Sequence, residues 1–305
     1  MVAGGLAFAA SAALTAAAGG FWLLLAALVL GNPAGGAFVS LAQAALMDAD
    51  PGRRARNMAR WTLAGSFGYV GGPLLLAAAV YLGAGWRGAI AALAVAAVPL
   101  TLAALRFPSP RREEAPPFGR AVRAALAAVR RREVLRLLLL LEASDLLLDV
   151  FHGFLALYLV YGAGESGTIG ALGVGVWTGA ELVGNWVLLY VLRRTSGRPV
   201  LRATAVVSLG VYPGFLLVPG AVPKLALLAV LGLLTASWYP VAKAWLYDAL
   251  PERSGAAVAV GGLGGIAGAF VPLLLGLLAG AAGIAATMWV LLPAPVALLA
   301  LTSER

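Results

Sequence analysis

Apolar residues fill this chain in long unbroken runs, separated by short stretches where Arg, Asp, Pro and Gly gather. The runs are roughly 17 to 28 residues long and apolar on every face, as expected of helices that cross a bilayer at a rise of about 1.5 Å per residue. Ten spans are predicted, near 2–18, 21–47, 59–83, 86–106, 134–161, 167–192, 200–219, 222–247, 255–281 and 283–301. The first has no basic residues ahead of it and is followed at once by further spans, so it reads as a crossing rather than a signal peptide.

The fifth span breaks the pattern. Glu142, Asp145, Asp149 and His152 stand inside an apolar run that continues to Tyr161. On a regular helix turning about 100° per residue they share an arc of about 80°, one polar face on an otherwise apolar helix. Each such group costs about 2.5–3.5 kcal/mol in a bilayer, so these groups are expected to face a bundle interior or a water-filled cavity.

Composition narrows the class. Of 305 residues, 62% are hydrophobic and 11% charged, with a mean hydropathy of +0.93. Soluble domains carry charge on about 25% of positions, so an all-α polytopic membrane protein is expected. The net charge of +9 does not point to nucleic acid, because the basic residues lie in short loops rather than in a soluble module. Alternate loops (48–60, 106–136, 193–202, 248–254 and the tail) hold 19 of the 22 Lys and Arg residues. Positive loops face the cytoplasm, which predicts a multi-pass protein of the inner membrane with both termini cytoplasmic. With no cysteine there is no thiolate nucleophile and no disulfide.

The long loop 107–133, rich in Pro and Arg, divides the chain into 1–106, with four spans, and 134–305, with six. Its basic amphipathic part, 120–132, reads as a surface helix on anionic lipid. An internal repeat at an offset of 200 crosses this division. Eleven of 27 positions are identical between 42–68 and 242–268. Asp48 and Asp248, Pro51 and Pro251, and Arg53 and Arg253 coincide at the same turn, followed by Gly65 with Gly265, Gly68 with Gly268, and Gly72-Pro73 against Val271-Pro272. Both copies leave the cytoplasm in the same direction, which makes the repeat parallel. A parallel repeat of six-span halves leaves the first half two spans short, so the chain reads as a twelve-span protein without its first two.

These features resemble the major facilitator superfamily of transporters, from that family's third helix to its twelfth. The resemblance rests on the parallel halves, the basic central loop, the Asp48-to-Arg54 turn and Gly68-Tyr-Val-Gly-Gly72-Pro73, which is similar to the Gly-Pro motif of the family's exporters. It departs from the family at Leu28, where an Arg often stands, and at Arg194, the acidic position of a gating motif. The resemblance implies a secondary transporter working by alternating access, with export the preferred direction and a proton as candidate coupling ion.

Candidate residues follow from the embedded polar groups. Asp145, Asp149, His152 and Glu181 are expected to contact substrate or carry protons, with Asn185 and Trp177 on the same face as Glu181. A carboxyl group that loads and releases a proton is what a proton-linked carrier needs. Lys243 is expected to pair with Glu142, since a lone embedded Lys needs a counter-ion. Asp48, Arg53, Asp248 and Arg253 form a candidate gate, and Gly68, Gly72, Pro73, Gly265, Gly268 and Pro272 a helix-packing motif. No metal or cofactor is expected, since one His among carboxylates is a weak ligand set. The expected partners are the bilayer, a small neutral or cationic organic molecule and protons, with the protein acting as a monomer and not as an enzyme. Two alternatives stand beside this reading: a non-transporting remnant of such a transporter, and an intramembrane enzyme, for which no catalytic pair is evident.

Overall fold

In a bilayer every backbone N–H and C=O must be satisfied within the chain, and uninterrupted helices do this without any partner. The computed structural model describes residues 2–106, 118–250, 254–268 and 270–303, which are almost wholly helical, with no strand among them. The α-helices are α1 (Val2–Ala17), α2 (Phe21–Gly35), α3 (Leu41–Ala49), α4 (Arg54–Tyr81), α5 (Gly85–Ala103), α6 (Phe118–Val129), α7 (Arg132–Asp145) and α8 (Phe151–Leu157). They continue with α9 (Gly167–Val191), α10 (Gly197–Leu217), α11 (Ala221–Thr235), α12 (Trp238–Ala249), α13 (Ser254–Gly268), α14 (Val271–Ala282), α15 (Ile284–Met288) and α16 (Pro293–Ser303). Among the described residues, 7 helical runs are long and apolar enough to span a membrane, and Val2–Ala17 and Val271–Ala282 are shorter apolar helices. Large apolar side chains such as Trp22, at 79% exposure, face outward as lipid-facing residues should.

Two runs share a feature that sequence periodicity does not show. Phe21–Ala49 and Ala221–Ala249 are both 29 residues long and keep the offset of 200. The first is interrupted by a π-helical turn at Gly36–Ser40, and the second breaks between Thr235 and Trp238, the matching place.

The chain forms two compact units. One comprises Met1–Ala49 and Gly68–Arg120, the other Asp50–Phe67 and Ala121–Arg305. In the first, α1 packs on α2 and α5. Gly4 lets α1 approach the π turn, since a Cβ there would lie 2.8 Å from the Ala37 carbonyl carbon. The Ser11 hydroxyl donates to the Ala27 carbonyl at 2.8 Å, and Arg87 donates to that of Ala18 at 2.8 Å.

In the second unit α7 packs on α12 and α16, α9 on α11 and α8, and α10 on α11 and α16. Its aromatic core centres on Phe151, whose ring stands edge-on to Trp177, Tyr212 and Phe215 at 5.1, 5.6 and 5.7 Å. The α9–α11 crossing depends on two glycines. A Cβ on Gly232 would meet the Trp177 carbonyl oxygen at 2.9 Å, and one on Gly184 that of Leu233 at 2.9 Å.

Candidate functional site

Residues 132–162 are helical throughout, but not regularly so. Leu146–Val150 and Tyr158–Gly162 are π turns, in which each backbone bond reaches one residue further than in an α-helix. One extra residue per turn sets everything beyond it back by about 100° on the helix surface. The polar face expected of four groups is therefore divided. Glu142, Asp145 and Asp149 line a cleft of about 280 Å³, while His152 does not. His152 turns instead to α9, where its Nε2 lies 3.4 Å from the Thr178 hydroxyl. That hydroxyl donates to the Val174 carbonyl at 2.9 Å, so it is the acceptor toward His152, and Nε2 carries the hydrogen.

The far wall of the cleft is Gly265, Gly268, Val271 and Pro272. Gly268 was expected to bring helices together, but the Glu142 carboxylate occupies the space a Cβ there would need. Among the described residues nothing lies within 4 Å of a Cβ at Gly68, Gly72 or Gly265. Around these glycines the described residues leave space for a side chain, and Pro73 on α4 is itself exposed. In the second unit close helix approach falls to Gly184 and Gly232, which the repeat does not mark: Gly184 has no counterpart at an offset of 200, and that of Gly232 is Asn32.

The other embedded groups are placed as follows. Glu181, on α9, is half-buried and lies within electrostatic range of Asp149. Trp177 and Asn185 share its helix but are wholly buried, so neither lines the cleft. Trp177 belongs to the Phe151 cluster. The Asn185 amide donates to the Ser66 hydroxyl at 3.0 Å, pinning α9 to α4. A polar residue on the same sequence face as an acid is thus a packing residue here, because the helix is buried on that side.

Lys243 is not ion-paired with Glu142. Its ammonium lies where a Cβ of Gly261 would be only 2.9 Å away, 5.9 Å from the Tyr239 ring centre, and its electrostatic partner is Asp145. Glu142 is seated at Gly268, so α13 holds the two groups seven residues apart along one face.

A model of the Major Facilitator Superfamily matches residues 1–230. The chain belongs to that superfamily. Membership indicates a transporter rather than an enzyme. Among solved structures, one of the superfamily transporter FucP in the outward conformation aligns with a TM-score of 0.76 at 18% identity, covering 99% of this chain and 81% of that one. Another, of the E. coli fucose:proton symporter FucP, gives 0.77 at 16% identity, covering 99% and 82%. The human organic anion transporter MFSD10 (TETRAN) gives 0.72 at 21%, covering 99% and 76%. No curated protein matches the sequence. At these identities the likeness is one of fold, and it agrees with the all-α, major-facilitator architecture expected from the sequence.

At the candidate gate the buried arginine is not the one the repeat selects. Arg53 is exposed and reaches only Asp50, at 3.6 Å. Its neighbour Arg54 is buried, and one nitrogen, Nη1, donates both to the Tyr247 carbonyl and to Asp248 Oδ1, each at 3.1 Å. Identity across the repeat favours Arg53, since position 254 is Ser. Helical spacing would have pointed to Arg54, because Met58, one turn on, is wholly buried. Asp48 is exposed at the end of α3, and Arg253 lies outside the described residues.

A second buried cation is Lys224, in the first turn of α11. Its ammonium donates to the carbonyls of Phe215 and Leu216 and to the Tyr158 hydroxyl, at 2.8, 3.3 and 3.2 Å. It closes the C-terminal end of α10, where unsatisfied carbonyls and the helix dipole both favour a cation.

Proposed function

We propose that this superfamily member is a secondary active transporter that exports a small neutral or cationic organic compound in exchange for protons, by alternating access. The observation that carries the reading is the cleft of about 280 Å³ on which Glu142, Asp145 and Asp149 converge, with Glu181 within electrostatic range of Asp149. Carboxylates inside a membrane protein are costly and, facing a cavity, are suited to binding cations or carrying protons. The likeness in fold to FucP, a fucose:proton symporter, supports proton coupling, and the Gly72-Pro73 resemblance supports export.

Asp149 and Glu181 are assigned to proton carriage, Asp145 and Glu142 to substrate contact, and His152 to linking Asp149 with α9 through Thr178. Arg54 and Asp248 are assigned to the cytoplasmic gate. The equal lengths and matched interruptions of Phe21–Ala49 and Ala221–Ala249 support an origin by parallel repeat, with ten crossings arranged as 1–106 and 134–305 around the linker 107–133. The arginine-rich loops support an inner-membrane protein with both termini cytoplasmic.

The test is transport in everted membrane vesicles energised by a proton gradient. Activity should collapse with the gradient and fall at least tenfold in Asp149→Asn and Glu181→Gln, the range for loss of a positioned proton-transfer group. Unchanged transport in both variants would end the proton-carrier assignment.

A further inference from the structure

Asp145 stands between two environments. On one side is the cleft, which it lines together with Glu142 and Asp149 and with no cationic side chain among its lining residues. On the other is Lys243, which does not line the cleft but whose ammonium sits against Gly261, one turn of α13 from Gly265 of the cleft wall, and which lies within electrostatic range of Asp145. Lys243 reaches this place because α13 presents Gly261 to it, where a Cβ would crowd the ammonium at 2.9 Å. Gly268, two turns further along the same face, seats the Glu142 carboxylate and keeps it from Lys243. The lysine is thus held apart from Glu142 and within electrostatic range of Asp145, an acid that a substrate in the cleft would also touch.

We propose that Lys243 is the specificity-determining residue of the cleft: a tethered cation that competes with a monocationic substrate for the charge of Asp145. This rests on the transporter reading above and deepens it by naming the substrate class as a small organic monocation. The competition needs no direct ion pair. A unit charge acting across about two helix turns, roughly 11 Å, in an effective dielectric near 20 changes the affinity of a second cation for the same carboxylate by about tenfold. The charge count is also consistent. Glu142, Asp145, Asp149 and Glu181 face one embedded cation, so a bound monocation reduces the excess negative charge, whereas an anion would increase it. A cleft of about 280 Å³ has room for roughly nine waters at about 30 Å³ each, which fits a ligand with a single aromatic ring and a small ammonium head.

The experiment measures equilibrium binding of two isosteric probes to the full chain in lipid nanodiscs. Benzyltrimethylammonium is the cation, and neopentylbenzene, with carbon in place of nitrogen, is its neutral twin. Lys243→Gln should bind the cation about tenfold more tightly than the unaltered protein, while affinity for the neutral twin stays within twofold. Lys243→Arg, which keeps the charge, should leave both affinities near their original values and serves as the folding control. Equal gains for both probes would reduce Lys243 to a matter of space and overturn the proposal. Failure of the cation to bind either protein would overturn it as well. Neither result bears on proton coupling, which the gradient-dependent transport of Asp149→Asn and Glu181→Gln tests separately.

Discussion

Replacing Arg54 by Ala removes a buried guanidinium that ties the start of α4 to the end of α12. The group lost is 6% exposed, and its bonds include one to a carbonyl and one to a carboxylate, each at 3.1 Å. Bonds involving a charged group are worth about 1.5–3 kcal/mol each when buried. Here the Asp248 side chain is 53% exposed and water re-solvates it, so that bond falls below this range, at about 0.5 kcal/mol. Tyr247 is wholly buried, so its carbonyl loses a partner that water does not readily replace. Together these give about 2 kcal/mol, or a shift of ten- to thirtyfold in any equilibrium that requires the tie to open. The protein contains no cysteine, so one introduced thiol reports without background. Gly265→Cys places it in the cleft at a position where a Cβ meets nothing within 4 Å. Its modification by a membrane-impermeant thiol reagent, applied from the side bearing residues 50–53, should be ten- to thirtyfold faster with Arg54→Ala. Arg53→Ala, which removes only an exposed pair of 3.6 Å, should leave the rate unchanged. Equal rates in the two backgrounds would refute the assignment of Arg54 to the gate.

Other predictions concern stability. Lys224→Met leaves two carbonyls of the α10 terminus without their ammonium donor and should destabilise the protein by about 1–3 kcal/mol, read as a lowered unfolding midpoint in detergent. Tyr158→Phe, which removes one acceptor of that ammonium and its own bond to the Leu216 carbonyl at 3.1 Å, should cost about 1 kcal/mol. A smaller loss in Lys224→Met than in Tyr158→Phe would contradict the capping role. Gly232→Ala should cost about 1–3 kcal/mol by forcing α9 and α11 apart at the Trp177 carbonyl. Gly262→Ala, where the added methyl meets open space, should change the midpoint little and serves as its control.

Much of the architecture was legible because apolar run length is a direct consequence of bilayer thickness, and the helices fall close to the predicted intervals. The acid-bearing helix was recognisable for the same reason, since four ionisable groups in an apolar run are conspicuous. What periodicity did not reveal was the geometry within that helix. A wheel drawn at 100° per residue assumes regularity, and the π turn at Leu146–Val150 removes it, taking His152 out of the cleft while leaving Asp149 in. Lys243 was expected to pair with Glu142 because pairing arguments count charges, whereas the side-chain-free positions at Gly261 and Gly268 decide where those charges rest. Trp177 and Asn185 were misplaced because sharing a face with Glu181 does not reveal how much of that face is buried. Arg54 was hidden behind the more visible repeat identity of Arg53, though its burial follows from the helix face it shares with Met58.

The π turns carry one further consequence. Each stores a single surplus residue in a helix that is otherwise continuous over 132–162. Such a surplus can be passed along a helix without breaking it, much as a ruck travels through a carpet, and each position it passes is turned by about 100°. Moving the ruck at Leu146–Val150 toward Arg132 would turn Asp145, and then Glu142, out of the cleft one after the other. Moving it toward Gly162 would bring His152 round into line with them. The acidic wall is thus built on a stretch of helix whose facing can change without unfolding.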